Sequence, residues 1–202
     1  MKKLILFDLD GVLLDSRVNM EQAWAEVRKK TGTEVPFEAY FALIGRPFQD
    51  ILQCLGVTED LAAIEQAYMA ASLYFLSNAS FYPKTRETLK ALQDAGMQLG
   101  IVTSKDAVRT KAVISQLKLK FSTIQCPATP YRGKPAPDHL LLAMAESGVD
   151  PKDTIYVGDM ETDYQAAVRA GIDYVHASWG YGFPVDAVSA LDSIDQLPKF
   201  LA

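Results

Sequence analysis

Cysteine is scarce in this 202-residue sequence, with only Cys54 and Cys126 present. Two such residues exclude a disulfide framework, and they lack the spacing of a metal site. Both are expected to be small buried hydrophobes. Histidine is equally rare: His139 and His176 have no partner legible in the sequence, so no chemistry is assigned to them. A basic excess is also missing. The net charge is −5 and the isoelectric point about 5.1, which excludes the positive field that nucleic acid or an anionic membrane would call for. No apolar run is long enough to span a bilayer. Lys2-Lys3 leads into a short apolar run with no cleavage site after it, so a cytoplasmic location is expected. Repeats and low-complexity segments are absent. What remains is ordinary globular material, 49% hydrophobic and 22% charged, enough for one good core and a small second lobe.

The stretch that orders the rest is Leu4-Ile5-Leu6-Phe7-Asp8-Leu9-Asp10-Gly11-Val12. So short an apolar run reads as a strand buried on both faces. It ends in two carboxylates one residue apart, then a glycine that lets the backbone turn sharply. Residues two apart share a face, so Asp8 and Asp10 can reach one centre. In open α/β sheets ligands bind just beyond the carboxyl ends of parallel strands.

Residues 16–80 read as helical, with breaks at Gly32, Gly45-Arg46-Pro47 and Gly56. In the last of these helices Tyr68, Met69, Tyr74 and Phe75 are expected to form the insert's own core. From Phe81 the pattern alternates. Helices are expected over 85–95, 106–117, 138–147 and 162–170, and strands over 97–102, 121–126, 154–157 and 174–177, the last in the chain. Ser193 and Gln196 have capping-box spacing for a short final helix. Alternation of this kind implies a parallel sheet with right-handed crossovers. The expected architecture is therefore α/β: a Rossmann-like parallel sheet core, residues 1–14 and 82–202, with an inserted small α-helical cap domain, residues 15–81.

Thr103, Lys134, Asp159 and Asp163 all fall at expected strand ends or in the loops beyond them. Several carboxylates round one point repel strongly unless a cation lies between them. Mg²⁺ suits such a set, because it takes a few carboxylates and keeps positions for water or a phosphate oxygen. Lys134 offers a point charge and Thr103 a hydroxyl for further phosphate oxygens. These groups are the parts needed for phosphoryl transfer. Other candidates have plainer readings. Asp163 also suits a helix start, Lys105 and Arg132 read as peripheral charges, and Trp179–Gly182, after the last strand, as a packed loop, with lining of the pocket as its alternative.

The chain resembles the haloacid dehalogenase-like hydrolases, in particular their phosphoglycolate phosphatase and β-phosphoglucomutase branch. Asp8-Leu9-Asp10-Gly11-Val12 is similar to the family's first motif and Ile101-Val102-Thr103-Ser104 to its second. Lys134-Pro135-Ala136-Pro137-Asp138 is similar to the third and Gly158-Asp159-Met160-Glu161-Thr162-Asp163 to the fourth. The resemblance implies that Asp8 attacks phosphorus and that Asp10 acts as acid and then base. It also implies that Asp8, the Asp10 carbonyl and Asp159 hold Mg²⁺ with help from Asp163. Thr103 and Lys134 would hold the phosphoryl group, and Ser104, at a place that varies in the family, is a further substrate-binding candidate. Arg46, at the break in the insert, is read as a contact that selects the substrate, with a solvated loop arginine as the alternative. The implied activity is a Mg²⁺-dependent phosphatase for a small phosphate ester, phosphoglycolate-like or a sugar phosphate. A phosphomutase and a non-catalytic binding protein on the same scaffold are the alternatives. Dehalogenation has no use for an acid at Asp10. Oligomeric state is left open.

Overall fold

The computed structural model describes residues 2–183 and 189–202. The chain separates into two compact units, Ser16–Ser80 and Met1–Asp15 with Phe81–Ala202. The inserted unit holds α1 (Arg17–Thr31), α2 (Phe37–Phe41), α3 (Phe48–Cys54) and α4 (Leu61–Tyr74). Its core is aromatic. Trp24 stacks on Tyr40 at 4.4 Å, and Tyr68 lies 4.8 Å from Phe48 and 5.4 Å from Tyr40. Each such pair adds roughly 0.5–1.5 kcal/mol beyond its buried area. Asn19 and Ser72 clamp α1 to α4. The Asn19 amide donates to the Ser72 carbonyl and the Ser72 hydroxyl to Asn19 Oδ1, both at 2.8 Å.

The expected aromatic cluster of α4 does not form as a unit. The helix buries Ile64, Tyr68, Ala71 and Ser72, an i, i+4, i+7, i+8 stripe. Tyr74 lies off that stripe and is 80% exposed, because about 100° per residue carries it to the outer face. Cys54 is exposed and Cys126 half-buried, contrary to the expectation for both. Cys54 ends α3 beyond the buried Ile51 and Leu52. Cys126 follows a strand at the sheet's edge.

The second unit begins with β1 (Leu4–Phe7); two-residue strands β2 (Leu14–Asp15) and β3 (Ser80–Phe81) lie where the chain passes between units. There follow α5 (Thr85–Asp94), β4 (Gln98–Val102), α6 (Ala107–Ile114), β5 (Thr123–Gln125), α7 (Asp138–Ser147), β6 (Thr154–Gly158), α8 (Glu161–Ala170), β7 (Asp173–Ala177), β8 (Ser189–Leu191) and α9 (Leu197–Leu201). The sheet runs β5-β4-β1-β6-β7-β8, with every neighbouring pair parallel. It is a Rossmann-like α/β fold. All four β1 residues are buried. Leu4 and Leu6 share one face with Tyr156 and pack on Leu140, Ala143, Ala166 and Ala167 of α7 and α8. Helix α5 buries Thr85, Thr88, Leu89 and Leu92, the spacing of one helical face.

Two local expectations differ here. Residues 174–177 are not in the last strand, since β8 adds to the edge through a register that pairs Ala177 with Leu191. The capping box at Ser193 does not close. Gln196 Oε1 accepts instead from the Asp192 N–H at 3.0 Å, and Ser193 turns to Asp195. Among the described residues no helix is long and apolar enough to cross a membrane.

The chain steps outward from β1 to β4 and β5, then returns past β1 to β6, β7 and β8. That reversal opens a crevice beside β1 at the carboxyl ends of the strands.

Candidate active site

Asp8 is the first residue past β1, and its N–H still donates to Val157 O at 2.9 Å. The carboxylate is thus fixed at the sheet edge and is buried. Asp159 follows β6, the neighbour of β1, and is also buried. Asp163 lies one turn further, in the first turn of α8. Its Oδ2 accepts from the N–H groups of Met160 at 3.0 Å and Asp159 at 3.2 Å, so it caps the helix. One oxygen from each of Asp8, Asp159 and Asp163 lies within 4.8 Å of the others.

Glycines permit this crowding. Gly11 has φ +86°, and a Cβ there would stand 2.1 Å from Asp159 Oδ2. A Cβ on Gly158 would meet Asp163 Cβ at 2.4 Å.

Lys134 projects into the cluster from the loop after β5. Its Nζ donates to Asp163 Oδ1 at 2.7 Å, Asp8 Oδ1 at 2.9 Å and the Tyr156 hydroxyl at 3.1 Å. Arg169 of α8 holds the Lys134 loop through Pro135 O at 2.7 Å. In the sequence Tyr156 reads as one more apolar residue of a buried strand. Its hydroxyl lies 3.0 Å from both Val102 O and Asp163 Oδ1. The legible signal was general: a buried tyrosine needs a partner for its hydroxyl.

One ammonium faces three buried carboxylates. Burial pushes the Asp8 carboxyl up to about 7, against the pull of Lys134 and with a further push from Asp163. Burial drives Asp159 well above the ordinary carboxylate range, and the charges of Asp163 and Asp8 add to it. Asp159 Oδ2 accepts from the Tyr181 N–H at 2.8 Å. Its Oδ1 is buried and has no hydrogen-bond partner among the described residues. An orphaned carboxylate oxygen inside a cluster of excess negative charge fits a hard divalent cation.

The Trp179–Gly182 loop is more than packing. A Cβ on Gly180 would be 2.4 Å from Asp159 Cβ, and one on Gly182 would be 2.1 Å from Asp159 O. Trp179 Nε1 anchors the loop to Val12 O at 2.9 Å. The glycines were visible in the sequence, but Asp159 as their neighbour was not.

Asp10 is partly exposed, and its Oδ2 lies 3.0 Å from Lys105 Nζ. Lys105 is therefore not peripheral, as its sequence context suggested. It is 5% exposed, and burial holds its ammonium below the usual lysine range despite Asp10. Arg132 is exposed and pairs with Asp138 at 2.7 Å. Thr103 is buried just past β4, where the register pairing Phe7 with Ile101 brings it to the same edge. Its Oγ1 accepts from the Lys105 N–H at 3.2 Å, and Ser104 is half-buried beside it. Arg46 belongs to the helical unit, exposed beside Gly45, whose φ is +88°. Both histidines are buried, with Nε2 atoms lacking partners among the described residues, and neither ligates the cluster.

Residues 5–177 match the family model described as haloacid dehalogenase-like hydrolase. A phosphoglycolate phosphatase of Pseudomonas syringae pv. tomato is 32% identical over 213 residues, spanning 98% of this chain and 78% of that protein. One from Aquifex aeolicus is 30% identical over 185 residues, spanning 89% of this chain and 86% of its own length. The crystal structure of a hydrolase from Pseudomonas syringae has the same fold, with a TM-score of 0.86 at 23% identity over 99% of this chain and 98% of that one.

Proposed function

The chain belongs to the haloacid dehalogenase-like hydrolases, and from that premise we propose that it is a Mg²⁺-dependent phosphatase acting on a small phosphate ester. The observation that carries this reading is the buried trio Asp8, Asp159 and Asp163, with Lys134 among them and Asp159 Oδ1 without a hydrogen-bond partner among the described residues. Asp8, the Asp10 carbonyl and Asp159 would hold the cation, and Asp163 would orient the set while fixing Lys134. Bound there, Mg²⁺ supplies charge neutralisation for the phosphoryl oxygens.

An Asp8 oxygen forms a bond to phosphorus as the bond to the leaving oxygen breaks, giving an aspartyl-phosphate. Asp10 gives its proton to the leaving oxygen, which departs as an alcohol. Asp10 then takes a proton from water, whose oxygen attacks phosphorus. Inorganic phosphate leaves and the Asp8 carboxylate is restored. Lys134 and Thr103, with Ser104 beside it, hold the phosphoryl oxygens through the transfer. Arg46 is assigned to substrate choice, since a guanidinium recognises a carboxylate or second phosphate bidentately.

The test is phosphate release from a panel of esters, including phosphoglycolate, sugar phosphates and an aryl phosphate, with Mg²⁺ and with chelator. Release that needs Mg²⁺ supports the reading. Conversion of one sugar phosphate to another without release overturns it in favour of a mutase. Arg46→Ala should cost about tenfold or more in kcat/KM on the best small ester and leave the aryl phosphate nearly unaffected. Equal losses remove Arg46 from substrate choice.

A further inference from the structure

Lys105 has no part in the chemistry set out so far, yet its placement is costly. An ammonium at 5% exposure loses most of its hydration, and evolution places lysine inside only against a partner. Among the described residues that partner is Asp10, with Nζ 3.0 Å from Oδ2 and side chains 3% and 15% exposed.

The backbone that carries Lys105 is tied down on every side. Its N–H donates to Thr103 Oγ1 at 3.2 Å and its carbonyl accepts from Thr110 Oγ1 at 3.2 Å. The next residue, Asp106, caps α6 by accepting from the N–H groups of Val108 and Arg109, both at 3.0 Å. Asp106 also pairs with the Arg109 side chain. Lys105 is thus a rigid strut from the end of β4 to the residue that must meet the leaving oxygen.

Asp10 needs such a strut. It sits three residues past Phe7, the end of β1, beyond the ladder that fixes Asp8 and in a turn bridged to Leu14. A proton donor must be held within hydrogen-bond reach of the atom it serves. With Lys105 on its Oδ2, the carboxylate can swing away only by breaking that tie. We propose that Lys105 is a positioning residue that holds the Asp10 carboxyl in line with the leaving oxygen. This rests on the reading of Asp10 as the acid of the first step.

The step itself dictates the test. As the bond from phosphorus to the leaving oxygen breaks, an alkyl oxygen needs the Asp10 proton, whereas para-nitrophenolate leaves without one. kcat/KM reports this first step for both substrates. Lys105→Met should lower kcat/KM for an alkyl phosphate by about tenfold to a hundredfold, a part of the roughly 10²–10⁴-fold that general acid catalysis supplies. The loss on para-nitrophenyl phosphate should be much smaller. Lys105→Gln, which keeps a donor at the end of the side chain, should recover part of the alkyl loss and covers the case in which the methionine variant fails to fold. In an Asp10→Asn background Lys105→Met should add no further discrimination, the mark of two residues acting as one.

Equal losses on both esters, or no loss on either, would overturn the proposal. Asp10→Asn by itself separates the two ideas. If that variant fails to discriminate between the esters, the acid role of Asp10 falls. If it discriminates and Lys105→Met does not, only the role of Lys105 falls.

Discussion

At Lys134 a single ammonium, buried to 3% exposure, answers both Asp8 and Asp163. Removing one member of a buried ion pair leaves its partner desolvated and unpaired, at a cost of about 3–5 kcal/mol. Asp8 is the opposite case, because burial already opposes its charge. Lys134→Met should therefore destabilise the chelator-treated protein by about 3–5 kcal/mol in urea unfolding. Asp8→Asn should leave it as stable or more so. Both variants should lose turnover nearly completely, since one lacks the charge that holds the phosphoryl group and the other an ionisable nucleophile. Equal destabilisation by the two would mean that the Asp8 carboxylate is favourable in the folded chain. The sequence could name both residues. It could not show that Lys134 also reaches Tyr156, a contact across 22 residues.

The loop after β7 shows what an element adds to its residues. Gly180 packs its Cα against Asp159, where a Cβ would stand 2.4 Å from Asp159 Cβ and 2.6 Å from Gly11 O. Gly180→Ala must push the loop away, loosening the Tyr181 N–H that holds Asp159 Oδ2. Gly100→Ala makes a comparable clash inside the sheet, 2.6 Å from both Leu6 Cδ2 and Thr123 Cγ2, but away from the carboxylates. Overpacking of this kind costs about 1–3 kcal/mol. Both variants should melt lower, and only Gly180→Ala should lose the upward shift in melting temperature on adding Mg²⁺. A shift retained in Gly180→Ala would separate the loop from the metal site. The element was legible in outline, since Gly180 and Gly182 follow a strand end. Its target was not, because Asp159 is 21 residues away from Gly180 in the chain.

Across the whole molecule the buried acids couple stability to pH and to metal. The ordinary carboxyl value for Asp8 is 3.8 and the folded one about 7, and Asp159 is shifted in the same direction. Between those values the folded chain keeps protons that the unfolded chain has released, so folding stability falls as pH rises. Lys134 contributes equally across this window, because lysine titrates far above it. Mg²⁺ needs the ionised carboxylates and stabilises only the folded state. Burial lowers His139 and His176 and so acts the opposite way, but a comparison with Asp8→Asn cancels them: in chelator the melting temperature of the wild-type chain relative to Asp8→Asn should fall between pH 5 and pH 8, and the gain on adding Mg²⁺ should grow over the same range. Thermal melts at four pH values check both. A wild-type chain that gains melting temperature on Asp8→Asn as pH rises through the window would contradict the crowding of Asp8, Asp159 and Asp163.

The sequence by itself determined the parallel α/β sheet, the helical character of residues 16–80 and the residues that carry the four motifs. These follow from local chemistry: strand and helix periods, glycines at turns, and polar groups at strand ends, which a parallel sheet gathers on one edge. Only the tertiary structure decided that Lys105 faces Asp10, that Tyr156 braces Lys134, that Tyr181 holds Asp159 and that Tyr74 and Cys54 face outward. Each is set by which side chain meets which across a crevice or round a helix. That depends on strand order, loop path and small differences in helix rotation, and no residue's immediate neighbours in sequence encode them.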